Sequence, residues 1–173
     1  YLFEKNGLKI FKITENKING GSYRIYCKKN LNKSINYKEK TSYSDIKKFI
    51  NNVIDNKNKT IDFLIKAKKD NKSVILYGAS TKGNTLLQYY NIDKDLIKFA
   101  AERSSYKWGK VTVGSGLEII SENYSRKLKP NYFFVMPYGF IKEFIKREKQ
   151  WIKRGGKFLL PYPKFSVVKW KKH

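Results

Sequence analysis

Residues 73–90, SVILYGASTKGNTLLQYY, decide the fold. A short apolar strand ends at Gly78 and runs into a loop of small residues, after which a helix continues to about Tyr90. Further apolar strands are predicted at 96–101, 117–120 and 131–136, and a helix over about 140–154 precedes a last core strand at 157–160. Strands that alternate with helices are typical of a parallel sheet. We therefore predict an α/β fold of Rossmann type, a mainly parallel sheet of about five strands with flanking helices.

The residues before this sheet divide into three parts. Residues 7–13 and 23–27 alternate in character and predict a β-hairpin, which has the pattern of the closing edge of a larger sheet. A Lys- and Asn-rich stretch follows, and apolar residues at helical spacing then predict a long helix over 44–69 that packs beside the sheet. We accordingly divide the chain into a hairpin remnant at 1–29, a linker at 30–43 and a Rossmann-like domain at 44–173.

The charge of the chain has two interpretations. Its 173 residues carry a formal net charge of +24, from 38 Lys and Arg against 14 Asp and Glu. A strongly basic chain is typical of nucleic-acid binding. Most of these cations are Lys, however, and they are spread from end to end. Lys, Asn and Ile also share A/T-rich codons, so genome composition explains the charge without a nucleic acid. We therefore keep nucleic-acid binding only as a third alternative.

Scarce residue types exclude several chemistries. Cys27 is the only cysteine and His173 the only histidine. An internal disulfide, a cysteine-based zinc site and Ser–His–Asp catalysis are thereby excluded, and we expect no metal. No apolar run approaches the roughly 20 residues of a membrane span, and the first residues lack a signal-peptide pattern. We expect a cytoplasmic protein without a membrane partner.

The loop after the first core strand is the sharpest candidate site. A strand that ends in glycine and opens a helix presents free backbone N–H groups and the positive end of a helix dipole, which suits a phosphate or another anion. Glu102 ends the next strand, where an acidic residue can hold a sugar diol. The predicted binding residues of this region are Gly78, Ala79, Ser80, Lys82, Gly83, Asn84 and Glu102.

Two standard phosphate motifs fail at this loop. A P-loop requires Lys after its second glycine, where Asn84 stands. A dinucleotide fingerprint centred on Gly78 finds Leu76 and Thr81 in place of its outer glycines. A tight strand–helix turn without a ligand therefore stays open beside anion binding.

A second candidate lies in the hairpin. Gly20 and Gly21 permit a close backbone approach, so that Ser22 and Arg24 can face a ligand, although a plain hairpin turn explains both glycines as well. Elsewhere, Tyr138 can line a cleft. We interpret two further sets of charged side chains as solvated: the acids Glu118 and Glu122, and a basic helix face of Lys142, Lys146, Lys149 and Lys153.

Four stretches carry a family likeness, YGASTKGNTLLQYYNI, ERSSYKWGK, KPNYFFVMPYGF and WIKRGGKFLLPYP. Their order and spacing, from about residue 43 to 164, resemble the C-terminal domain of the SAM-dependent sugar C-methyltransferase family. The opening GLKIFKIT and NGGSYRIY looks like the last two strands of that family's methyltransferase domain. The resemblance implies zinc and methyltransferase domains upstream in the same polypeptide.

The resemblance also implies a function. The chain is expected to be the C-terminal part of a methyltransferase that acts, by C- or O-methyl transfer, on a nucleotide-linked sugar or a related glycan precursor. S-adenosylmethionine would be bound by a domain outside this chain, so this part alone is expected to be inactive. Asn19 stands where the family has a His taken as the general base, and Asn cannot serve as a base, so the catalytic residues stay unassigned. The alternative is a non-catalytic module that binds a nucleotide sugar or a sugar phosphate.

Overall fold

The computed structural model of the chain describes residues 1–18, 21–30, 32–35, 37 and 41–170. The chain divides into two compact units, Tyr1–Ile46 and Lys47–His173. In the described residues, no helix is long and apolar enough to cross a membrane.

The first unit contains the predicted hairpin. A short helix, α1 (Leu2–Lys5), precedes strands β1 (Lys9–Asn16) and β2 (Ser22–Lys28), which pair antiparallel. The register shifts between Ile10 and Lys12, so the strand pair is irregular there. Two strands bury little apolar surface, and Phe11, Tyr23 and Ile25 are accordingly exposed.

The second unit is a layered α/β structure. Most of the long helix α2 (Tyr43–Lys69) belongs to it, and the elements that follow are β3 (Val74–Tyr77), α3 (Thr81–Tyr90), β4 (Phe99–Glu102), β5 (Glu118–Ser121), α4 (Glu122–Lys127), β6 (Tyr132–Val135), α5 (Ile141–Arg147), α6 (Lys149–Lys153), β7 (Lys157–Leu160) and β8 (Ser166–Val168). Their sheet has the order β5-β4-β3-β6-β7-β8, in which all neighbours are parallel except β7 and β8. The predicted α/β fold with a mainly parallel sheet is thus confirmed.

Alternate residues of each strand build two cores, one on each face of the sheet. The core on the side of α2 and α3 includes Leu64, Leu76, Leu87, Ala100, Phe134 and Leu159. The core on the side of α5 and α6 includes Ile75, Tyr77, Phe133, Phe144, Ile152 and Phe158. Because both faces are covered by helices, the strands are apolar at nearly every position, which is why the sequence shows short continuous apolar runs.

Three details differ from the sequence prediction. The strand expected at 96–101 begins only at Phe99, because Asp93 directs a turn in which its carbonyl accepts from the Ile97 amide and its carboxylate from the Asp95 amide. A sixth strand, β8, follows the two prolines that suggested an end to the sheet. It pairs antiparallel with β7, with Leu159 opposite Val167, and so extends the sheet by one strand.

The third difference is a break in the helix predicted over 140–154. It consists of a 3-10 turn at Tyr138–Phe140, then α5, then α6, with Glu148 between the two α-helices. The side chain of Glu148 is only 2% exposed and turns into the molecule. It accepts hydrogen bonds from the Tyr77 hydroxyl and the Arg126 guanidinium, both at 2.6 Å. The helix therefore breaks where an acidic side chain is drawn into a buried ion pair.

The groups around Glu148 form a connected charge network. Arg126 also contacts Glu122 at 3.0 Å, and Arg147 contacts Glu122 at 3.4 Å and donates to the Tyr77 hydroxyl at 3.2 Å. Burial and the hydrogen bond to Glu148 raise the pKa of Tyr77 well above its usual range, so its hydroxyl stays a donor. The interpretation of Glu122 as a solvated side chain is wrong, because its side chain is 13% exposed and bonded to two arginines.

A buried amide fixes the chain that leads into β8. Asn56 of α2 is 4% exposed. Its Nδ2 donates to the Pro163 carbonyl at 2.8 Å, and its Oδ1 accepts from the Phe165 amide at 2.8 Å. Because both groups of the amide are satisfied, a polar side chain is tolerated in the core at this position.

Candidate functional site

The loop singled out in the sequence lies at the topological switch point of the sheet. The strand order reverses between β3 and β6, so the loop after β3 stands beside the segment that follows β6. In open α/β sheets, ligands bind in the crevice at the carboxyl ends of the strands at this point. We refer to residues 78–84 as the switch-point loop. The sheet order therefore gives the predicted loop a location that is typical of a binding site.

Gly78 makes the turn out of β3. Its φ of +94° lies in a region that favours glycine, and its amide donates to the Ala101 carbonyl at 2.9 Å. A Cβ at this position would stand 3.3 Å from two ring atoms of Pro137, which follows β6. Backbone conformation and the proximity of the β6 segment thus both call for glycine here.

The first turn of α3 is capped by Ser80. Its Oγ accepts from the Gly83 amide at 3.1 Å, and its carbonyl accepts from the Asn84 amide at 3.0 Å. A Cβ on Gly83 would stand 3.2 Å from both Ser80 Oγ and Met136 Cγ, so this glycine allows the helix to begin close to the β6 segment. The backbone of the loop adopts the strand–turn–helix geometry that the sequence predicted.

Asn84 carries an unsatisfied acceptor. Its Oδ1 is buried and finds no hydrogen-bond partner among the described residues. A buried amide oxygen without a donor costs about 1–3 kcal/mol. A hydroxyl or an N–H of a ligand would satisfy this atom, whereas a fully ionised phosphate offers no donor.

Glu102 lies at the carboxyl end of β4, the strand next to β3. Its Oε1 accepts from the amides of Arg103 and Ser104, and its Oε2 lies 3.2 Å from Lys107 Nζ. Burial raises the pKa of this carboxyl, but the hydrogen bonds from the Ser104 amide and from Lys107, with the positive charge of Lys107, outweigh burial and hold the pKa below its usual range. Glu102 is therefore an ionised group whose two oxygens both have partners within the chain.

Lys107 is the residue of this site that the sequence interpretation missed. Its Nζ donates to the Ala79 carbonyl at 2.9 Å as well as to Glu102, so it joins the switch-point loop to the end of β4. Its side chain is 42% exposed, which leaves the ammonium accessible. A lysine shortly after the strand-ending acid, within ERSSYKWGK, was the available signal.

The carboxylate of Glu102 is engaged within the chain. A carboxylate at the end of the second strand is the usual partner of a cofactor ribose, and here Glu102 is already occupied by two amides and Lys107. The described residues also contain no group of three or more His, Cys, Asp or Glu side chains that could hold a metal.

The remaining predicted residues lie elsewhere. In the first unit, Gly21 has a φ of +131°, Ser22 Oγ donates to the Ile18 carbonyl at 2.9 Å, and Arg24 is exposed on β2. The ring of Tyr138 packs edge-on against Tyr162 at 5.2 Å. Three predicted features lie outside the described residues, namely Asn19, Gly20 and the side chain of Lys82.

Comparison with known proteins identifies the family. A family model described as the C-methyltransferase C-terminal domain matches residues 17–163. The chain therefore belongs to the C-methyltransferase C-terminal domain family. A curated relative, the C-methyltransferase NovU of Streptomyces niveus, is 32% identical over 99 residues, which is 57% of this chain and 24% of that protein. The match thus spans about a quarter of the length of this relative.

Proposed function

We propose that this chain is the acceptor-binding part of a SAM-dependent methyltransferase whose substrate is a nucleotide-linked sugar or a related glycan precursor. The single observation that carries the proposal is the switch-point loop of a chain that belongs to a C-methyltransferase family. S-adenosylmethionine would be held by residues outside this chain, and the engagement of Glu102 by Lys107 and two amides supports this part of the proposal.

The chemistry of the loop favours a ligand with both anionic and hydroxyl groups. The amino end of α3 carries a partial positive charge, and the accessible ammonium of Lys107 stands beside it. These two features suit a diphosphate. Asn84 Oδ1 lacks a donor among the described residues, and a sugar hydroxyl would supply one. A nucleoside-diphosphate sugar combines these groups in one molecule.

The proposal is tested by calorimetric titration of the purified chain with a panel of nucleoside-diphosphate sugars and, separately, with S-adenosylmethionine. We expect heat from at least one nucleotide sugar and none from S-adenosylmethionine. Lys107→Met should weaken sugar-nucleotide binding at least about tenfold, because a charge-assisted hydrogen bond contributes about 1.5–3 kcal/mol.

Lys110→Met is the matched control for this test. Lys110 lies on the same connecting segment, but its ammonium stands 3.7 Å from the ring centroid of Tyr106 rather than on the switch-point loop. We expect its affinity to stay within about twofold of the parent. Equal losses in both variants would mean that only the general positive charge attracts the ligand, and the switch-point site would be rejected.

A methyl-transfer assay distinguishes the proposed methyltransferase part from the non-catalytic binding module. A methyltransferase part should restore methyl transfer when it is present in a polypeptide that also binds S-adenosylmethionine, whereas a binding module should not. The assay follows transfer of a labelled methyl group to the nucleotide sugar. Binding without any transfer in that polypeptide would favour the non-catalytic module.

A further inference from the structure

A second concave surface lies at the amino ends of the strands, whereas the switch-point loop lies at their carboxyl ends. This cavity has a volume of about 870 Å³. Its walls include Lys129–Asn131, which lead into β6, and Gly155–Gly156, which lead into β7, so it opens at the amino ends of these strands. Three surface cavities stand out in the described part of the chain, and none is lined by residues 78–84. We call the first of them the amino-edge cavity.

The lining of the amino-edge cavity is strongly cationic. Its six cations are Arg126, Lys129, Lys146, Arg147, Lys149 and Arg154. The one acid among the lining residues is Glu148, whose carboxylate is buried against Tyr77 and Arg126. Within the described residues, Lys129, Lys146, Lys149 and Arg154 form no ion pair. Four positive charges therefore remain uncompensated around one concave surface.

The choice of arginine at this surface is informative. The chain contains Arg at only five positions, 24, 103, 126, 147 and 154, and the last three line this cavity. Arg126 and Arg147 are already engaged by Glu148 and Glu122, so among the described residues Arg154 is the arginine of this cavity whose guanidinium remains free for a ligand. The planar guanidinium matches the geometry of phosphate oxygens and can bind them in a bidentate manner.

Two acidic side chains hold two of these cations in position. Glu148 and Glu122 hold Arg126, and Glu122 also holds Arg147, so two of the arginines are oriented before any ligand arrives. Trp151 adds an apolar wall to the cavity. A hydrogen bond from its Nε1 to the Pro130 carbonyl, at 2.8 Å, fixes the orientation of the indole. Cavities of about 300–1,000 Å³ are typical of small organic ligands.

We propose that the amino-edge cavity binds a small organic polyphosphate, at a site separate from the acceptor site of the proposed function. Two or more phosphates would meet the four uncompensated cations, and the organic part would rest against Trp151. The Lys146 and Lys149 face, interpreted from the sequence as solvated, then becomes part of a binding wall.

The test follows the glycine amides of the purified full chain by nuclear magnetic resonance during titration with adenosine diphosphate and with inorganic pyrophosphate. Gly155 and Gly156 report on the amino-edge cavity, whereas Gly78 and Gly83 report on the switch-point loop. We expect the first pair to shift with both probes. The double variant K149Q/R154Q should bind at least tenfold more weakly at the first pair, and Lys107→Met should leave that binding unchanged.

The matched control removes the same charge elsewhere. Lys66 and Lys69 are exposed on α2 and line none of the three cavities. K66Q/K69Q should bind within twofold of the parent. The proposal is overturned if both double variants lose affinity equally, if only Gly78 and Gly83 shift, or if neither pair shifts. It is also overturned if a single-stranded oligonucleotide binds this surface more tightly than adenosine diphosphate and with a steep salt dependence, since the surface would then serve nucleic acid.

Discussion

Replacing Glu148 with Gln removes one buried negative charge while it nearly preserves the shape of the side chain. Glu148 Oε1 accepts from the Tyr77 hydroxyl and from Arg126 Nη2, and Oε2 accepts from Arg126 Nε at 2.9 Å. The amide of Gln has one acceptor in place of two. Arg126 therefore loses one of its two counter-charges and its bidentate partner.

The expected magnitude follows from the burial of the two partners. Breaking a buried ion pair by removing one charge costs about 3–5 kcal/mol. Arg126 is 33% exposed and keeps Glu122 at 3.0 Å, so we expect the lower end, about 3 kcal/mol of lost unfolding free energy. Glu143 supplies the control, because its side chain is 54% exposed and contacts Arg147 at 3.6 Å. Glu143→Gln should cost at most about 1 kcal/mol.

Urea unfolding followed by tryptophan fluorescence measures both variants. Trp108, Trp151 and Trp170 all belong to the Lys47–His173 unit, so the signal reports on the sheet and its helices alone. The reasoning would be refuted if Glu148→Gln were as stable as Glu143→Gln. That result would mean that the network forms without contributing to the stability of this unit.

Three more variants probe other contacts. Ser80→Ala should lower the unfolding free energy by about 1 kcal/mol, because it removes the acceptor for the Gly83 amide; urea unfolding measures it, and no change would mean that the cap is dispensable. Because the pKa of Glu102 is lower in the folded state, its ionised carboxylate stabilises the fold at pH values above the ordinary pKa of a glutamate. This contribution is lost as the pH falls through the lower folded-state pKa. Glu102→Gln should therefore lose less stability than the parent as the pH falls through and below the ordinary pKa of a glutamate, and equal losses would contradict the assigned pairing. Asn56→Ala should lower the unfolding free energy by about 2–4 kcal/mol, because a carbonyl and an amide lose their partners. Thermal unfolding measures this loss, and a loss below about 1 kcal/mol would show that water replaces the side chain.

The parallel sheet was predictable because its strands carry their own signal. The run at Val74–Tyr77 is apolar at every position and ends in glycine, so strand, turn and helix all followed from local sequence. The strand order, which places the loop at the switch point, was implied by the fold class alone. The family likeness predicted from four motifs is confirmed for the C-methyltransferase C-terminal domain, while the nucleotide sugar stays a proposal.

The features that sequence did not reveal depend on partners far along the chain. The helix breaks at Glu148 because its carboxylate meets Tyr77 of β3 and Arg126 of α4, and no local pattern encodes that meeting. Lys107 likewise lies at the site because its Nζ donates to the Ala79 carbonyl of the switch-point loop, which is distant from it in sequence. Periodicity describes which face of an element is buried, but it does not describe which charges meet there.

Asn56 has a consequence for how related chains can diverge. Both of its partners are backbone groups, so it recognises the path of residues 163–165 and not their side chains. The hydrogen bond at residue 165 is compatible with every amino acid except proline, which lacks the amide hydrogen, and the side chain of Phe165 is restricted separately by its ring contact with Phe63 at 5.6 Å. Position 56 has no such latitude: Asp lacks the donor, Leu lacks both groups, and Gln is longer by a methylene. Selection is therefore expected to retain Asn56 although Asn is a weak helix former, whereas its hydrogen bond to residue 165 constrains only the amide hydrogen of that residue.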